Sequence, residues 1–90
     1  MNYEIKPDLE KILTKLKKKD LVAFQAVMKK ITEVVECGNP EHYKPLQHDM
    51  KNKKRVHILK SFVLIFSYDA SSGLITFLDY DHHDNVYQKY

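Results

Sequence analysis

The sequence predicts an α+β domain in which an antiparallel two-helix hairpin packs on one face of a small sheet. Within residues 9–35, apolar side chains recur at three- and four-residue steps, as in amphipathic helices. From residue 54 to residue 80 they alternate or form short continuous runs, as in strands. A chain of 90 residues suits a single domain over residues 1–90 with a modest core. We expect a short N-terminal strand, the two helices and then a three-stranded antiparallel meander.

The helical hairpin is predicted in the N-terminal half. Residues 2–6 alternate weakly and indicate the opening strand, and Pro7 suits the first turn of a helix. Asp20 is a favoured N-cap for the second helix, which Gly38 and Pro40 end. The two apolar stripes comprise Leu9, Ile12, Leu13 and Leu16, then Phe24, Val27, Met28, Ile31, Val34 and Val35. The tight connection between the two helices predicts that they run antiparallel.

The sheet is predicted in the C-terminal half. Residues 41–52 have no clean period and contain Pro45, so we expect a loop with one short extended piece at residues 43–46. Strands are predicted at residues 54–59, 62–68 and 74–80. Residues 69–73, reading DASSG, supply a turn that joins the last two strands as a hairpin. One helical turn is expected at residues 85–90.

The stretch KKRVHILKSFVLIF, residues 53–66, joins a basic segment to an apolar run. The run at its end predicts a strand buried on both faces at the centre of the sheet. Alternation in the basic segment places Arg55 and His57 on one face, and Val56 and Ile58 on the other. Between residues 51 and 60 there are five cations and no acid, namely Lys51, Lys53, Lys54, Arg55 and Lys60. On a chain of net charge +3 this stripe suggests a polyanionic partner, nucleic acid before membrane, although a solvated lysine-rich loop fits equally well.

Composition excludes several classes of protein. No apolar stretch approaches the roughly 20 residues that a membrane helix needs. The N-terminus lacks the apolar core of a signal peptide, so we expect a cytoplasmic protein. Cys37 is the single cysteine, which leaves no internal disulfide and no thiolate zinc site, and at the end of a helix it suits a structural thiol.

Paired histidines follow the last predicted strand, in the segment YDHHDNVY at residues 80–87. As metal ligands, His82 and His83 would need Asp81 or Asp84 as a third donor. Adjacent residues rarely turn to one centre, so we expect neither a metal nor another cofactor. As general acid and base the histidines suit neutral pH. The alternative is that they only cap the sheet.

His57 also allows two interpretations. It is either a structural histidine satisfied by cross-strand hydrogen bonds, or an imidazole beside Arg55 facing a phosphate that Arg55 and the lysines bind. Tyr43, Tyr80 and Tyr87 offer surfaces on which RNA bases could stack, but aromatic side chains in a small domain more often belong to the core. The residues alone leave these alternatives open.

Three segments, taken in order, resemble a known family. They are HYKPL at residues 42–46, KRVHILKSFVLIF at 54–66 and ITFLDYDHHDNVY at 75–87. The pattern is similar to the RelE/ParE superfamily of toxins from type II toxin–antitoxin modules, especially its histidine-rich, YafQ-like branch. The resemblance implies a ribosome-dependent mRNA interferase, a metal-independent endoribonuclease that cleaves mRNA in the ribosomal A site by 2′-hydroxyl attack. It also implies a cognate antitoxin that neutralises a monomeric toxin within a hetero-oligomer.

The resemblance further implies roles for individual residues. With the final aromatic aligned at Tyr87, His83 falls on the family's C-terminal catalytic histidine. His57 falls on the histidine of the central strand, and His48 lies near the one in the preceding loop. Arg55 would bind the phosphate, and Tyr87 would stack on a base or contact it through its hydroxyl. The chemistry needs a base, an acid and cations, and this set supplies all three.

The remaining predicted contacts to RNA or its phosphates are Lys51, Lys53, Lys54, Lys60 and His82. The chain departs from the YafQ-like branch at Ser61 and Phe62, where those relatives have an acid followed by tryptophan. Asp81 lies in a region where those relatives tend to have basic residues. Two alternatives follow from the wider superfamily: a ParE-like inhibitor of DNA gyrase without nuclease activity, or a degenerate module that only binds its antitoxin.

Overall fold

The computed structural model describes residues 2–46 and 52–89. Along the chain the elements are β1 (Asn2–Ile5), α1 (Pro7–Lys19), α2 (Leu21–Glu36), a 3-10 turn (Pro40–His42), β2 (Lys53–Ile58), β3 (Phe62–Asp69), β4 (Leu74–His82) and α3 (His83–Lys89). The predicted α+β class is confirmed. No helix in these two ranges has the length and apolar character needed to cross a membrane.

The strands form one four-stranded sheet in the order β1-β4-β3-β2. β2, β3 and β4 make the predicted antiparallel meander. The sequence did not assign a partner to the opening strand. In the structure β1 pairs parallel with β4, with Tyr3 opposite Ile75. The parallel pairing is possible because β1 and β4 are far apart in the chain and are connected through both helices, β2 and β3.

The extended piece predicted at residues 43–46 is confirmed, and it covers part of the outer edge of β2. The backbone N–H of Leu46 donates to the carbonyl of Lys53 over 2.8 Å, and that of Arg55 donates to the carbonyl of Lys44 over 3.0 Å. Pro45 lies opposite Lys54 in an isolated antiparallel bridge. A proline is tolerated here because an edge position requires no donor from it.

One face of the sheet packs against α1 and α2, as predicted, and we call it the two-helix face. Asp20 begins α2 as expected, since its carboxylate accepts a hydrogen bond from the N–H of Ala23 over 3.1 Å. Gly38 follows α2 with φ at +79°, a conformation that glycine adopts without a Cβ penalty. The fully buried side chains of this core include Leu9, Val27, Val34, Leu64, Phe66, Ile75 and Phe77.

The opposite face, which we call the α3 face, packs against α3. Its buried cluster comprises Leu46, Val63, Ile65 and Val86. β3 is therefore buried on both faces, as the continuous apolar run predicted. The predicted C-terminal turn is instead a helix that begins at His83, because β4 continues its pairing with β3 through Asp81 and His82 before the chain turns. Tyr90 lies outside the described residues.

A bulge in β4 decides which side chains reach the α3 face. The register shifts between Ile65 and Phe66, so that Ile65 pairs with Asp79 while Phe66 pairs with Phe77. Leu78 is the extra residue, and it packs in the α3 cluster. Strict alternation from Phe77 would have pointed Asp79 into the two-helix core. The bulge instead directs Asp79 towards α3 and keeps the next apolar side chains in register with the core.

Candidate active site

Arg55 and His57 lie on the α3 face, as alternation predicted. Arg55 is paired with Ile65 and His57 with Val63, and both apolar partners belong to the cluster beneath α3. The intervening side chain of Val56 packs on the two-helix face instead. The sheet thus presents a guanidinium and an imidazole on the face that carries α3.

Tyr87 of α3 contacts Arg55, although the two residues are 32 positions apart in the sequence. Nη1 of Arg55 donates a hydrogen bond to the hydroxyl of Tyr87. The guanidinium carbon lies 5.8 Å from the centroid of the tyrosine ring, within the range of a cation–π contact. Val86, next to Tyr87, is fully buried and fixes the helix on the sheet. The structure therefore brings these two predicted site residues together.

His83 lies where β4 ends and α3 begins. Its backbone N–H donates to the carbonyl of Ser61 over 2.8 Å, which ties the helix start to the turn between β2 and β3. Its Nδ1 is 2.9 Å from a carboxylate oxygen of Asp84. The ring of His82 lies 4.7 Å from that of His83 and stands edge-on to Phe62 at 5.6 Å. Both imidazoles remain partly exposed, so a ligand can reach them.

His57 is exposed and stands across the sheet from the start of α3. His57, Val63 and Asp81 are consecutive partners across three strands. Two strand spacings, about 10 Å, therefore separate the backbones of His57 and Asp81. Within residues 2–46 and 52–89, no hydrogen bond or ring contact joins His57 to His83. The two histidines lie on opposite sides of the buried Val63 and do not touch.

The predicted cationic contacts divide between the faces. Lys60 is exposed in the turn between β2 and β3, beside the start of α3. Lys53 is partly exposed at the start of β2. Lys54 is only 8% exposed and is paired with Phe66, so it lies on the two-helix face, away from Arg55. His48 and Lys51 lie outside the described residues.

Lys89, which no sequence pattern singled out, forms two ion pairs with the sheet. Its Nζ lies 3.0 Å from Asp79 and 3.0 Å from Asp81. Asn85 also donates a hydrogen bond to Asp81 over 3.2 Å. Burial by itself would raise the pKa of Asp81, but the hydrogen bonds from Lys89 and Asn85 outweigh it and leave that pKa below its ordinary value. No local pattern could have shown this, because the pairing depends on the bulge and on the helix that follows it.

These ion pairs change how Asp81 bears on the site. The hydrogen bonds to Asp79 and Asp81 raise the pKa of Lys89, so the ammonium stays protonated at neutral pH. One of the two carboxylate charges on this part of the α3 face is thereby neutralised. The repulsion that Asp81 would exert on a phosphate is reduced accordingly.

The fold and the site define a small α+β domain whose C-terminal helix completes a histidine- and arginine-bearing sheet face. No protein-family model matches the chain. A protein of Methanocaldococcus jannaschii named "Putative toxin RelE4" is 50% identical over 86 residues, which cover 96% of this chain and 89% of that protein. An uncharacterized protein of Methanosarcina mazei is 43% identical over 84 residues, covering 93% and 95%.

Among solved structures, the solution structure of the conserved hypothetical protein HP0892 from Helicobacter pylori has the same fold. Its TM-score is 0.62 at 18% identity, with 96% of this chain and 98% of that chain covered. Sequence identity at that level supports a shared fold and nothing further. The 50% identity to the RelE4 protein over nearly the whole length establishes the family of this chain. The chain belongs to the RelE family of toxins, as the resemblance predicted.

Proposed function

We propose that this protein is the toxin of a toxin–antitoxin module and acts in the cytoplasm as a ribosome-dependent endoribonuclease. Membership of the RelE family supports the toxin role. One observation carries the proposal of cleavage: α3 packs on the sheet face that bears Arg55 and His57. Its Tyr87 contacts Arg55, and His83 stands at the same end of the sheet as the β2–β3 turn.

The proposed reaction is attack by a ribose 2′-oxygen on the adjacent phosphorus. A new 2′-oxygen–phosphorus bond forms and the bond to the 5′-oxygen breaks, which leaves a cyclic phosphate and a free 5′-hydroxyl. One neutral imidazole takes the proton of the 2′-hydroxyl, and one protonated imidazole gives a proton to the departing oxygen. His57 and His83, which lie on opposite sides of the buried Val63, are suited to these two roles. No step requires a metal.

Arg55 is suited to stabilise the charge that develops on the phosphate. A guanidinium has five N–H donors, and the contact with Tyr87 uses one of them. The others remain available for bidentate binding of phosphate oxygens. Lys60, exposed in the neighbouring turn, adds a cation that attracts the RNA backbone. The ring of Tyr87, 38% exposed, offers a surface on which a base can stack.

The proposed partner is a cognate antitoxin that covers the α3 face. Such a segment must complement Arg55 and Lys60, so it should carry acidic side chains together with apolar ones. Bound there, it would exclude RNA from both histidines at once. The toxin is proposed to be a single chain within that hetero-oligomer.

Removal of the His83 imidazole tests its proposed role in proton transfer. In a purified translation system, the wild-type protein should create new mRNA 5′ ends on ribosomes, and His83→Ala should lower the cleavage rate by about 10²–10⁴-fold because general acid–base catalysis is lost. His42→Ala is the matched control. His42 is exposed and stacks on Tyr43, which packs on the two-helix face, so its loss should leave cleavage unchanged.

Other outcomes would redirect the assignment. Cleavage by His83→Ala at the wild-type rate contradicts the role of this histidine. If the wild-type protein does not cleave but inhibits DNA supercoiling by gyrase, the ParE-like alternative is correct. If it does neither and only binds its antitoxin, the chain is a degenerate module.

A further inference from the structure

Three metal-binding donor groups converge where β4 passes into α3. Nδ1 of His83 lies 2.9 Å from one carboxylate oxygen of Asp84, and Nδ1 of His82 lies 3.7 Å from the other. One ligand atom from each of the three side chains lies within 4.8 Å of the other two. From their adjacent positions in the sequence, these side chains were expected to diverge. They converge because the backbone changes from extended to helical between His82 and His83, which brings the two rings to 4.7 Å.

The environment of His82 favours a cation between these groups. Its Nδ1 accepts a hydrogen bond from the backbone N–H of Asp84 over 3.2 Å and lies 3.7 Å from an oxygen of the Asp84 carboxylate. A cation between the nitrogen and the oxygen would be attracted to both. The N–H that loses its partner would be exposed, where water can satisfy it.

The donor set selects the class of metal. Two imidazoles and one carboxylate suit Zn²⁺, Co²⁺, Ni²⁺ or Cu²⁺, whereas Mg²⁺ and Ca²⁺ prefer oxygen ligands. Bond lengths near 2.0–2.1 Å require ligand atoms about 3.3 Å apart in a tetrahedral site. The His83–Asp84 distance is already close to this value. The side chains are exposed enough to move the remaining distance towards a bound ion. Three protein ligands leave a fourth position for water.

We infer that His82, His83 and Asp84 bind one divalent transition-metal ion, and that the bound ion prevents His83 from acting in cleavage. The second half rests on the proposed function, because it assumes that His83 exchanges protons with RNA. With Nδ1 of His83 bound to a metal, Nε2 keeps its proton and neither ring nitrogen has a lone pair left, so the imidazole can neither take up nor release a proton at neutral pH. A zinc-loaded protein should therefore fold and bind RNA but not cleave it.

Calorimetric titration of the purified full chain with Zn²⁺ tests the site itself. The wild-type protein should bind one ion, and His82→Ala and Asp84→Asn should each weaken binding by at least about tenfold, as for lost metal contacts generally. His42→Ala is the control with an exposed histidine elsewhere, and its affinity should match that of the wild type. Absence of Zn²⁺ binding, or equal affinity in Asp84→Asn and wild type, overturns the inference.

The mRNA cleavage assay with and without Zn²⁺ tests the consequence. Wild-type cleavage should be lost when Zn²⁺ saturates the site and return when a chelator removes it. At a Zn²⁺ concentration that saturates the wild-type protein but not Asp84→Asn, this variant should keep its own metal-free cleavage rate, which also controls for effects of zinc on the ribosomes. If Zn²⁺ binds but wild-type cleavage persists, the regulatory half is wrong. If no condition gives cleavage, the proposed function fails while the calorimetry still decides the metal site.

Discussion

The guanidinium of Arg55 is oriented by its contact with Tyr87. It projects from the middle of β2 onto the α3 face, where the hydroxyl and ring of Tyr87 orient its guanidinium. A planar group held in this way is prepared for two parallel hydrogen bonds to a phosphate. A lysine at the same position would keep the charge but lose both the fork geometry and the stacking.

Under the proposed mechanism, Arg55→Lys should therefore lower ribosome-dependent cleavage by about tenfold or more, because the transition-state charge would lose a bidentate partner. The measurement is the rate at which new mRNA 5′ ends accumulate. Tyr87→Phe is the companion variant: it removes the hydroxyl that accepts from Arg55 but keeps the ring, so its loss should be smaller. A cleavage rate for Arg55→Lys equal to that of wild type would show that Arg55 supplies charge alone.

Leu59 is a second residue whose effect can be read from its own backbone conformation. Its φ of +57° lies in the left-handed region, and its side chain is 61% exposed, so packing does not offset the strain. Leu59→Gly should raise the free energy of unfolding by about 0.5–1 kcal/mol, since the steric penalty of the Cβ exceeds the added freedom of the unfolded chain. Midpoints of urea denaturation measure this change.

Lys60→Gly is the control in the same turn. Its φ is not positive, so glycine there brings only the entropic cost and should lower the midpoint. A lower midpoint for Leu59→Gly would mean that the exposed leucine makes a contribution beyond its backbone strain.

At the scale of elements, α3 depends on its contacts with the sheet. A helix of seven residues is too short to be stable alone in water. Val86 packs in the buried cluster, and Lys89 in the last turn of the helix forms ion pairs with Asp79 and Asp81. Asp79 is only 8% exposed, so it needs a partner when it is ionised. The position of Tyr87 over Arg55 follows from these anchors.

Lys89→Met should lower the free energy of unfolding at pH 7 by about 1–2 kcal/mol, because Asp79 is left buried without its cation. This expected loss of stability is small for a buried ion pair, because water screens the charge of the half-exposed Lys89. Urea denaturation measures it. Lys30→Met is the matched control. Its ion pair with Glu33 spans one helical turn at the surface, so its loss should change stability little.

The pH dependence of this difference follows from the shifted groups. The pKa of Asp81 is lower in the folded state than in the unfolded chain, so its contribution is present at neutral pH and is lost as pH falls through the folded value. The pKa of Lys89 is raised, so its contribution is lost as pH rises through its folded value in the alkaline range. The stability difference between wild type and Lys89→Met should therefore shrink towards acid pH. A difference that stays constant from pH 7 to pH 3 would contradict the ion pairs.

At the scale of the whole molecule, one central strand organises two unlike layers. β3 is buried on both faces, with the helical hairpin on one side and α3 on the other. The two-helix face provides most of the core, whereas the α3 face carries a small apolar cluster surrounded by polar groups. This division lets the hairpin stabilise the domain and leaves the other face available for a functional site.

Much of this organisation could be predicted from local sequence. The apolar stripes of α1 and α2, the N-cap at Asp20 and the apolar run of β3 depend on neighbours within a few positions, so periodicity reveals them. The same alternation assigned Arg55 and His57 to one face. The junction between β4 and α3 was misplaced because strand pairing at Asp81 and His82 overrides their weak local preference.

The periods of helices and strands are local properties, so the sequence predicted α1, α2, the strands of the meander and the faces of β2. The contact of Tyr87 with Arg55, the ion pairs of Lys89 with two carboxylates, and the turn of adjacent histidines towards one carboxylate arise only in the folded chain. These contacts depend on strand register and on a bulge in β4, which shift side chains between faces without any signal in the residues that pair.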